Sequence, residues 1–384
     1  MSGLARAQRP AMPRLCRGAA ALLIATLTGL VPRFALAADY HREDLRIPFA
    51  AAGPSGLEAL LIRPQSGGRF PLALISHGAP RDGAQRKTMS AYQFYAQALE
   101  FARRGFAALV VMRRGYGTSD GTAENGGPCG RRDYLAEARY SIADLKAAVE
   151  AMARRPDVTT EGMIAVGHSA GGFNTVALTA DPPPGLAAAI SFAGGRGSRA
   201  DNDVCQDNDL VSTFGVFGRT SRTPMLWVYA QNDKFFGPEL AWRFFTAFTK
   251  AGGKAEFVAA PAFGEEGHYL FSSGTAEWPA LVDGFLAAHH LGLTTPLDPP
   301  TPPALAPSGQ LGAGGRKDFA TYLAASPHKA FAVAPNGAYA WRTRQRSAEA
   351  ARAAALEACA KYRPDCTVYA LDDALAAEPR TRDK

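Results

Sequence analysis

Between residues 45 and 290, short and continuously apolar runs alternate with longer stretches whose apolar residues recur at helical spacing. This alternation restricts the fold more than any other feature of the chain. Residues 57–63, 72–76, 107–112, 163–166, 187–192, 225–230 and 256–260 read as strands, and residues 91–103, 134–152, 173–179, 238–250 and 278–290 as helices. Strands that are apolar on both faces must be buried on both faces. The pattern therefore predicts an α/β fold with a mostly parallel sheet covered by helices on each side. A chain of 384 residues with 47% hydrophobic residues can bury one full-sized core and a second, small one.

The periodicity breaks at residues 294–309, TTPLDPPTPPALAPSG, whose six prolines cannot continue a helix and should run extended as a linker. Beyond it, apolar runs at 331–334 and 338–341 flank Asn336-Gly337, a strong hairpin signal. Ser347 can cap an alanine-rich helix reaching Tyr362, and residues 367–371 offer another strand. The expected division is a leader over 1–37, a main domain over 38–293, the linker, and a small α+β domain over 310–384.

The leader reading rests on an arginine-rich start, an apolar stretch over 19–31 and the small-residue motif Ala35-Leu36-Ala37. It predicts export, with no membrane-spanning segment in the mature chain; Cys16 precedes most of the apolar stretch, unlike a lipid-bearing cysteine. The formal charge of +7 is inflated by the five arginines of this segment: without them 37 basic residues face 35 acidic ones. Such a balance lacks the basic stripe that nucleic-acid binding needs. The mature chain keeps Cys129, Cys205, Cys359 and Cys366, an even number suited to an oxidising compartment. Of the three possible pairings, Cys129 with Cys205 and Cys359 with Cys366 is the favoured one. The spacing is not that of a zinc site, and His289 and His290, adjacent on a helix, diverge too far to form a metal pair.

The chemistry concentrates at Gly167-His168-Ser169-Ala170-Gly171, placed after a buried strand and before a helix. A sharp strand-to-helix turn crowds both second neighbours of its central residue, so glycine there is a steric requirement and the serine is lifted above the sheet edge. A serine hydroxyl needs a base to take its proton, and the base needs an acid to hold its tautomer. Asp233 follows strand 225–230 and His268 follows strand 256–260, both where a sheet of this winding opens its ligand crevice. Asp201, Asp203, Asp207 and Asp209 compete by composition but lie in a polar loop that no strand delivers. An oxyanion needs two backbone N–H donors; Ala170, just after the serine, and Ala79, in the loop after strand 72–76, are the candidates, Pro80 having no N–H. His77 reads as a structural hydrogen bonder and His168 as a packing element.

With these residues in view, the chain resembles an α/β-hydrolase, and within that superfamily the dienelactone-hydrolase-like and prolyl-oligopeptidase-like branch of esterases and peptidases, over roughly residues 45–290. The resemblance implies Ser169 as nucleophile, Asp233 as acid, His268 as base, and Ala79 and Ala170 as oxyanion donors, with neither metal nor organic cofactor. Two departures stand out. Where similar hydrolases read Asp-x-Arg-Gly-x-Gly-x-Ser, this chain has Met112 in the acid's place, and where dienelactone hydrolases proper use cysteine, it has serine. The C-terminal part weakly resembles small disulfide-bearing domains of bacterial envelope proteins, which implies a cell-envelope partner for residues 310–384.

Two inserts, residues 113–133 and 194–223, can reach over the crevice, and a Cys129–Cys205 bridge would tie them together across it. Tyr116, Phe235 and Phe236 are candidate substrate walls, whereas Trp227 and Trp242 read as core. The expected activity is hydrolysis of a small or medium carboxylic ester through an acyl-enzyme, with a secreted serine peptidase or amidase as the alternative. Against a dipeptidyl peptidase, the mature chain has only about forty residues before its second strand-like run, too few for a β-propeller filter, and no evident acidic helix pair to hold a free amino terminus. A binding role, with the hydrolase-like part as scaffold, has no need of the serine together with its base and acid.

Overall fold

The computed structural model describes residues 39–65 and 67–376; the expected leader over 1–37 lies outside them. The main part forms strands β1 (Tyr40–Ile47), β2 (Leu57–Pro64), β3 (Phe70–Ser76), β4 (Ala107–Val111), β5 (Val158–His168), β6 (Leu186–Phe192), β7 (Ser198–Ala200), β8 (Asp203–Val204), β9 (Met225–Ala230) and β10 (Ala255–Ala260). Its helices are α1 (Tyr95–Arg103), α2 (Tyr134–Ala153), α3 (Ala170–Ala180), α4 (Asp207–Gly218), α5 (Pro238–Lys250), α6 (Leu270–Ser273) and α7 (Pro279–Ala288).

Eight strands make one sheet in the order β1-β2-β4-β3-β5-β6-β9-β10. Pairs β1–β2 and β2–β4 are antiparallel and all others parallel. Alternate residues of each strand feed two cores: Leu72 and Leu74 of β3 pack with Phe173, Phe214 and Phe244 on one face, while Ala73 and Ile75 pack with Phe101, Phe271 and Trp278 on the other. Helices α2 to α5 thus cover one face, and α1, α6 and α7 the other. This is the topology of the α/β-hydrolase fold, with β7 and β8 as a separate ribbon.

The differences from expectation have local causes. Strand β1 carries a charge at most second positions, YHREDLRI, because it is a half-covered antiparallel edge held in register by β2. The helix expected from residue 91 starts as a 3-10 turn (Ala91–Phe94) capped by Ser90 and becomes α-helical only at Tyr95. The aspartate-rich loop is partly ordered: Asp203 lies in the ribbon, and Asp207 and Asp209 sit in the first turn of α4, where negative charge suits the exposed N–H groups. Trp227 is core, but Trp242 is 55% exposed on the outer side of α5, against Phe245 and Phe257.

The C-terminal region forms α8 (Ala313–Ala324), β11 (Ala330–Val333), β12 (Tyr339–Arg342), α9 (Ala348–Ala360), β13 (Thr367–Leu371) and β14 (Ala374–Leu375), with the sheet order β12-β11-β13-β14. Helix α9 packs its alanines on Ala330 and Ala332, while Phe319 and Tyr322 of α8 pack on Phe331 and Val333. Ser347 accepts the N–H of Ala350 and caps α9, and Cys359–Cys366 ties the end of α9 to β13. The proline-rich segment runs without helix or strand and is pinned along its course. The Leu297 N–H donates to Arg103 O (2.7 Å), Tyr40 Oη to Asp298 O (2.7 Å) and Tyr369 Oη to Ala306 O (2.9 Å).

Among the described residues, no helix is long and apolar enough to cross a membrane. Cys129 and Cys205, 76 residues apart, are bonded and join the two inserts. A closed loop of that length is expected to contribute about 4 kcal/mol by restricting the unfolded chain. Replacing both cysteines with serine should lower the unfolding free energy of the oxidised protein by that amount and its denaturation midpoint with it, whereas an unchanged midpoint would mean that the bridge stabilises nothing.

Candidate active site

Strand β5 ends at His168 and α3 begins at Ala170, so the whole change of direction falls on Ser169, whose φ of 56° and ψ of −123° lie in a region non-glycine residues avoid. Its neighbours explain why the turn can exist. A Cβ on Gly171 would sit 2.0 Å from Ser76 O, and one on Gly167 would sit 2.2 Å from Gly171 O. The turn is held from both sides, Ser169 N–H donating to Phe192 O (2.9 Å) while Ser169 O accepts from Phe173 N (3.0 Å) and Gly195 N (3.1 Å).

Asp233 and His268 arrive from the loops after β9 and β10, and two side chains staple these loops together. Asn232 accepts from Phe263 N and donates to Gly264 O, and one Glu266 oxygen accepts from both Lys234 N (2.9 Å) and His268 N (3.0 Å). The result brings His268 Nδ1 to 3.0 Å from Asp233 Oδ2, both residues being buried. The other Asp233 oxygen accepts the N–H groups of Phe235 (2.7 Å) and Phe236 (2.9 Å). Burial alone would raise the Asp233 carboxyl, but the hydrogen bond and charge of His268 and the two backbone donors outweigh it and hold it below the usual carboxylate range. An ionised Asp233 fixes the His268 proton on Nδ1 and leaves Nε2 as an acceptor.

His168, expected only to pack, has a positioning contact: its Nε2 lies 2.7 Å from His268 O and, facing a carbonyl, carries the proton. Burial, with the neighbouring His268 adding to it, lowers His168 to about 3, so it stays neutral. His77 is the structural bonder expected, accepting the Arg113 N–H at Nε2 (3.0 Å) and donating from Nδ1 to Gly78 O (2.6 Å). Burial and then Arg113 hold it well below the usual histidine range. Among the described residues, neither the Ala79 nor the Ala170 N–H has a protein acceptor, and both residues line the cavity that contains Ser169.

Two cavities meet at Ser169. The smaller, about 300 Å³, has Ala170, Gly195, Tyr116 and Phe236 in its walls. Its floor is ionic: Glu124 accepts from Tyr116 Oη (2.9 Å) and pairs with Arg196 (2.9 Å) and Arg113 (3.5 Å). Burial would raise Glu124, but Arg196 and Arg113 overcome it and keep it ionised. The larger cavity, about 720 Å³, contains His268, His168 and Tyr269 and extends to Thr343, Arg344 and Gln345. The three aromatic wall candidates all border these spaces, with different freedom. Tyr116 is fully buried, Phe236 nearly so, and Phe235 stacks on the His268 ring (3.9 Å between centroids) with the Arg81 guanidinium 3.6 Å from its own centroid.

Sequence reasoning did not single out Glu124, Arg196, Asn232 or Arg344. Glu266 was visible beside His268 but without a role, since a clamp between two loops is a property of their approach.

Residues 55–218 match the family model of X-Pro dipeptidyl-peptidase (S15 family). The matched stretch holds Ala79 and Ser169 and stops short of Asp233 and His268. No protein of curated function matches the chain in sequence. Solved structures similar to it include a Klebsiella pneumoniae protein provisionally assigned as a dienelactone hydrolase, 16% identical, covering 65% of this chain and 98% of that one with a TM-score of 0.45. Another is the Pyrococcus horikoshii acylaminoacyl peptidase, 16% identical with a TM-score of 0.47; the match covers 66% of this chain but only 42% of the peptidase. A third is Thermogutta terrifontis esterase 2, 21% identical, covering 64% and 94% with a TM-score of 0.46. These are likenesses of fold alone.

Glu266→Ala removes the clamp and should cut kcat by about tenfold or more through misplacement of His268, at a stability cost of about 1–2 kcal/mol; an unchanged kcat would show that the loops hold their spacing without it. For Asp233 the depressed folded value means that its stabilisation is complete above about pH 4 and is lost as pH falls through that value. Urea midpoints of the wild type and Asp233→Asn should therefore converge below pH 4, and a gap that stays constant down to pH 2 would contradict an ionised Asp233.

Proposed function

We propose that this chain is a serine carboxylic-ester hydrolase. The observation that carries the reading is one assembly: an Asp233–His268 pair 3.0 Å apart, bordering the same cavity as a serine held at the apex of a strand-to-helix turn, with two uncommitted backbone N–H groups in its wall. In this reading Ser169 attacks the ester carbonyl and His268 takes its proton. Asp233 steadies the imidazolium, and the N–H groups of Ala79 and Ala170 hold the oxyanion, each worth about 3 kcal/mol in such reactions. His268 then protonates the departing alcohol, and water, activated by the same histidine, releases the acid and restores the serine. The steps need no metal or organic cofactor.

The small cavity beside the two N–H groups supports a compact acyl portion. A serine peptidase or amidase is the second reading, favoured by the S15 model match over residues 55–218. The ester reading is preferred because the two carboxylates of the small cavity, Glu124 and Glu137, are already paired with Arg113, Arg132 and Arg196, so neither is free to hold an amino terminus. We further read the chain as exported, from the arginine-rich leader motif and from disulfides that persist where thiols are oxidised. An envelope role for residues 310–384 belongs to the same reading.

Ser169→Ala should lower the turnover of chromogenic esters by at least about 10⁴-fold while leaving the thermal midpoint near that of the wild type. Retained turnover would remove the assignment. In the wild type, matched esters should outpace the corresponding aminoacyl amides; the reverse order would promote the peptidase reading.

A further inference from the structure

The larger cavity at Ser169 is not built by the α/β part alone. Its far side is formed by Thr343, Arg344 and Gln345, the turn between β12 and α9 of the C-terminal region. This turn is fastened on both sides. Arg346 donates to Lys87 O (2.7 Å) and Met89 O (3.1 Å), whose segment itself supplies Thr88 and Met89 to the cavity wall. Thr343 Oγ1 donates to Ser326 O, the Gln345 N–H to His328 O and Gln345 Nε2 to Thr343 O, while the His328 ring packs edge-on to Tyr92 at 4.0 Å. Arg344 sits at the apex with φ of 57°, a conformation in which a long β-carbon-bearing side chain is uncommon.

The charges around this cavity leave one cation uncommitted. Arg81 is bound to Asp201 and Ser198, and Asp82 accepts the Ala84 N–H. The ion pairs of the C-terminal region join His328 to Asp372, Lys329 to Asp373 and Arg363 to Asp365. Arg342 and Arg346 donate to carbonyls. Arg344 alone of this set has neither an ion pair nor a side-chain hydrogen bond among the described residues. The side of the scissile bond that meets it also follows from the geometry. His268, which must protonate the departing group, borders the larger cavity and is absent from the smaller one, so the leaving group occupies the space that Arg344 closes.

We infer that the C-terminal region is a wall of the substrate site, and that Arg344 selects leaving groups carrying an anionic substituent, a carboxylate or its equivalent, beyond the scissile bond. The inference rests on the ester-hydrolase reading above. It makes the region a specificity element that acts within the chain, independent of any partner outside it. The remainder of the cavity, with Gln85, Thr88, Gln93, Ser272, Ser273 and Gln345, supplies neutral hydrogen-bonding groups and no second free cation; Asp82, whose Oδ1 accepts the Ala84 N–H, is the one carboxylate in its wall.

The test uses the full mature chain and two acetyl esters of a phenol bearing a short alkyl chain, ended in one case by a carboxylate and in the other by the primary amide. The wild type should favour the carboxylate by about fivefold in kcat/KM, mostly through KM, the upper end of what an exposed arginine such as Arg344 contributes, and added salt should erase that preference. In Arg344→Gln the ratio of the two esters should fall to near one, and in Arg344→Glu it should invert. Hydrolysis of both esters with a ratio that neither substitution nor salt changes would overturn the inference while leaving the hydrolase reading intact. Failure of the wild type to cleave either ester, or an ordinary phenyl acetate, would overturn both.

Discussion

Everything proposed for this chain depends on one crowded turn. At the end of β5 the backbone reverses into α3 over a single residue, and the reversal exists because Gly167 and Gly171 leave no side chain where Gly171 O and Ser76 O already stand. The conformation of Ser169 costs about 1–3 kcal/mol, offset by the hydrogen bonds to Phe192, Phe173 and Gly195 that enclose it. What the strain secures is position: a hydroxyl at the sheet edge beside the first free N–H of α3, a place that no residue inside a strand or a helix can occupy.

The rest of the site is built outward from that point by hydrogen bonds that cross between loops. His168 reaches from the turn to the backbone of His268, Glu266 joins the His268 loop to the Asp233 loop, and Asp233 closes the circuit at His268 Nδ1. The two histidine links are buried and the Glu266 links half-buried, and each involves a charged group or a neutral histidine, so each loses strength if the next shifts. The same logic extends to the substrate side. The buried Glu124–Arg196 pair makes the floor of the small cavity, the Cys129–Cys205 bond ties together the inserts that carry those two residues, and the C-terminal region closes the large cavity.

Much of the fold was legible because the sheet leaves a simple record. Strands buried on both faces, such as Met225–Ala230, must be apolar throughout, and the turn glycines have no substitutes. Elements held by tertiary contact were harder to read. Strand β1 is charged at alternate positions and is held by β2; α4 opens on DND and follows Gln206 in a left-handed conformation, although Leu210, Thr213, Phe214 and Phe217 mark its buried side; α8 opens AGG and is held by Phe319 and Tyr322. For the site, Asp233 and His268 could be nominated because each follows a buried strand. The contact of Arg344 with the cavity had no sequence signal, since it depends on how two regions 175 residues apart, counted from Ser169, come to share a wall.

The central claim is that Ser169 is the nucleophile, and the most direct measurement is the intact mass and peptide map of the protein after reaction with a fluorophosphonate. The account predicts one covalent adduct per chain, located on Ser169, formed in parallel with loss of esterase activity and slowed by orders of magnitude in His268→Ala. An unmodified Ser169 in protein that has lost its activity, or an adduct on another residue, would contradict it.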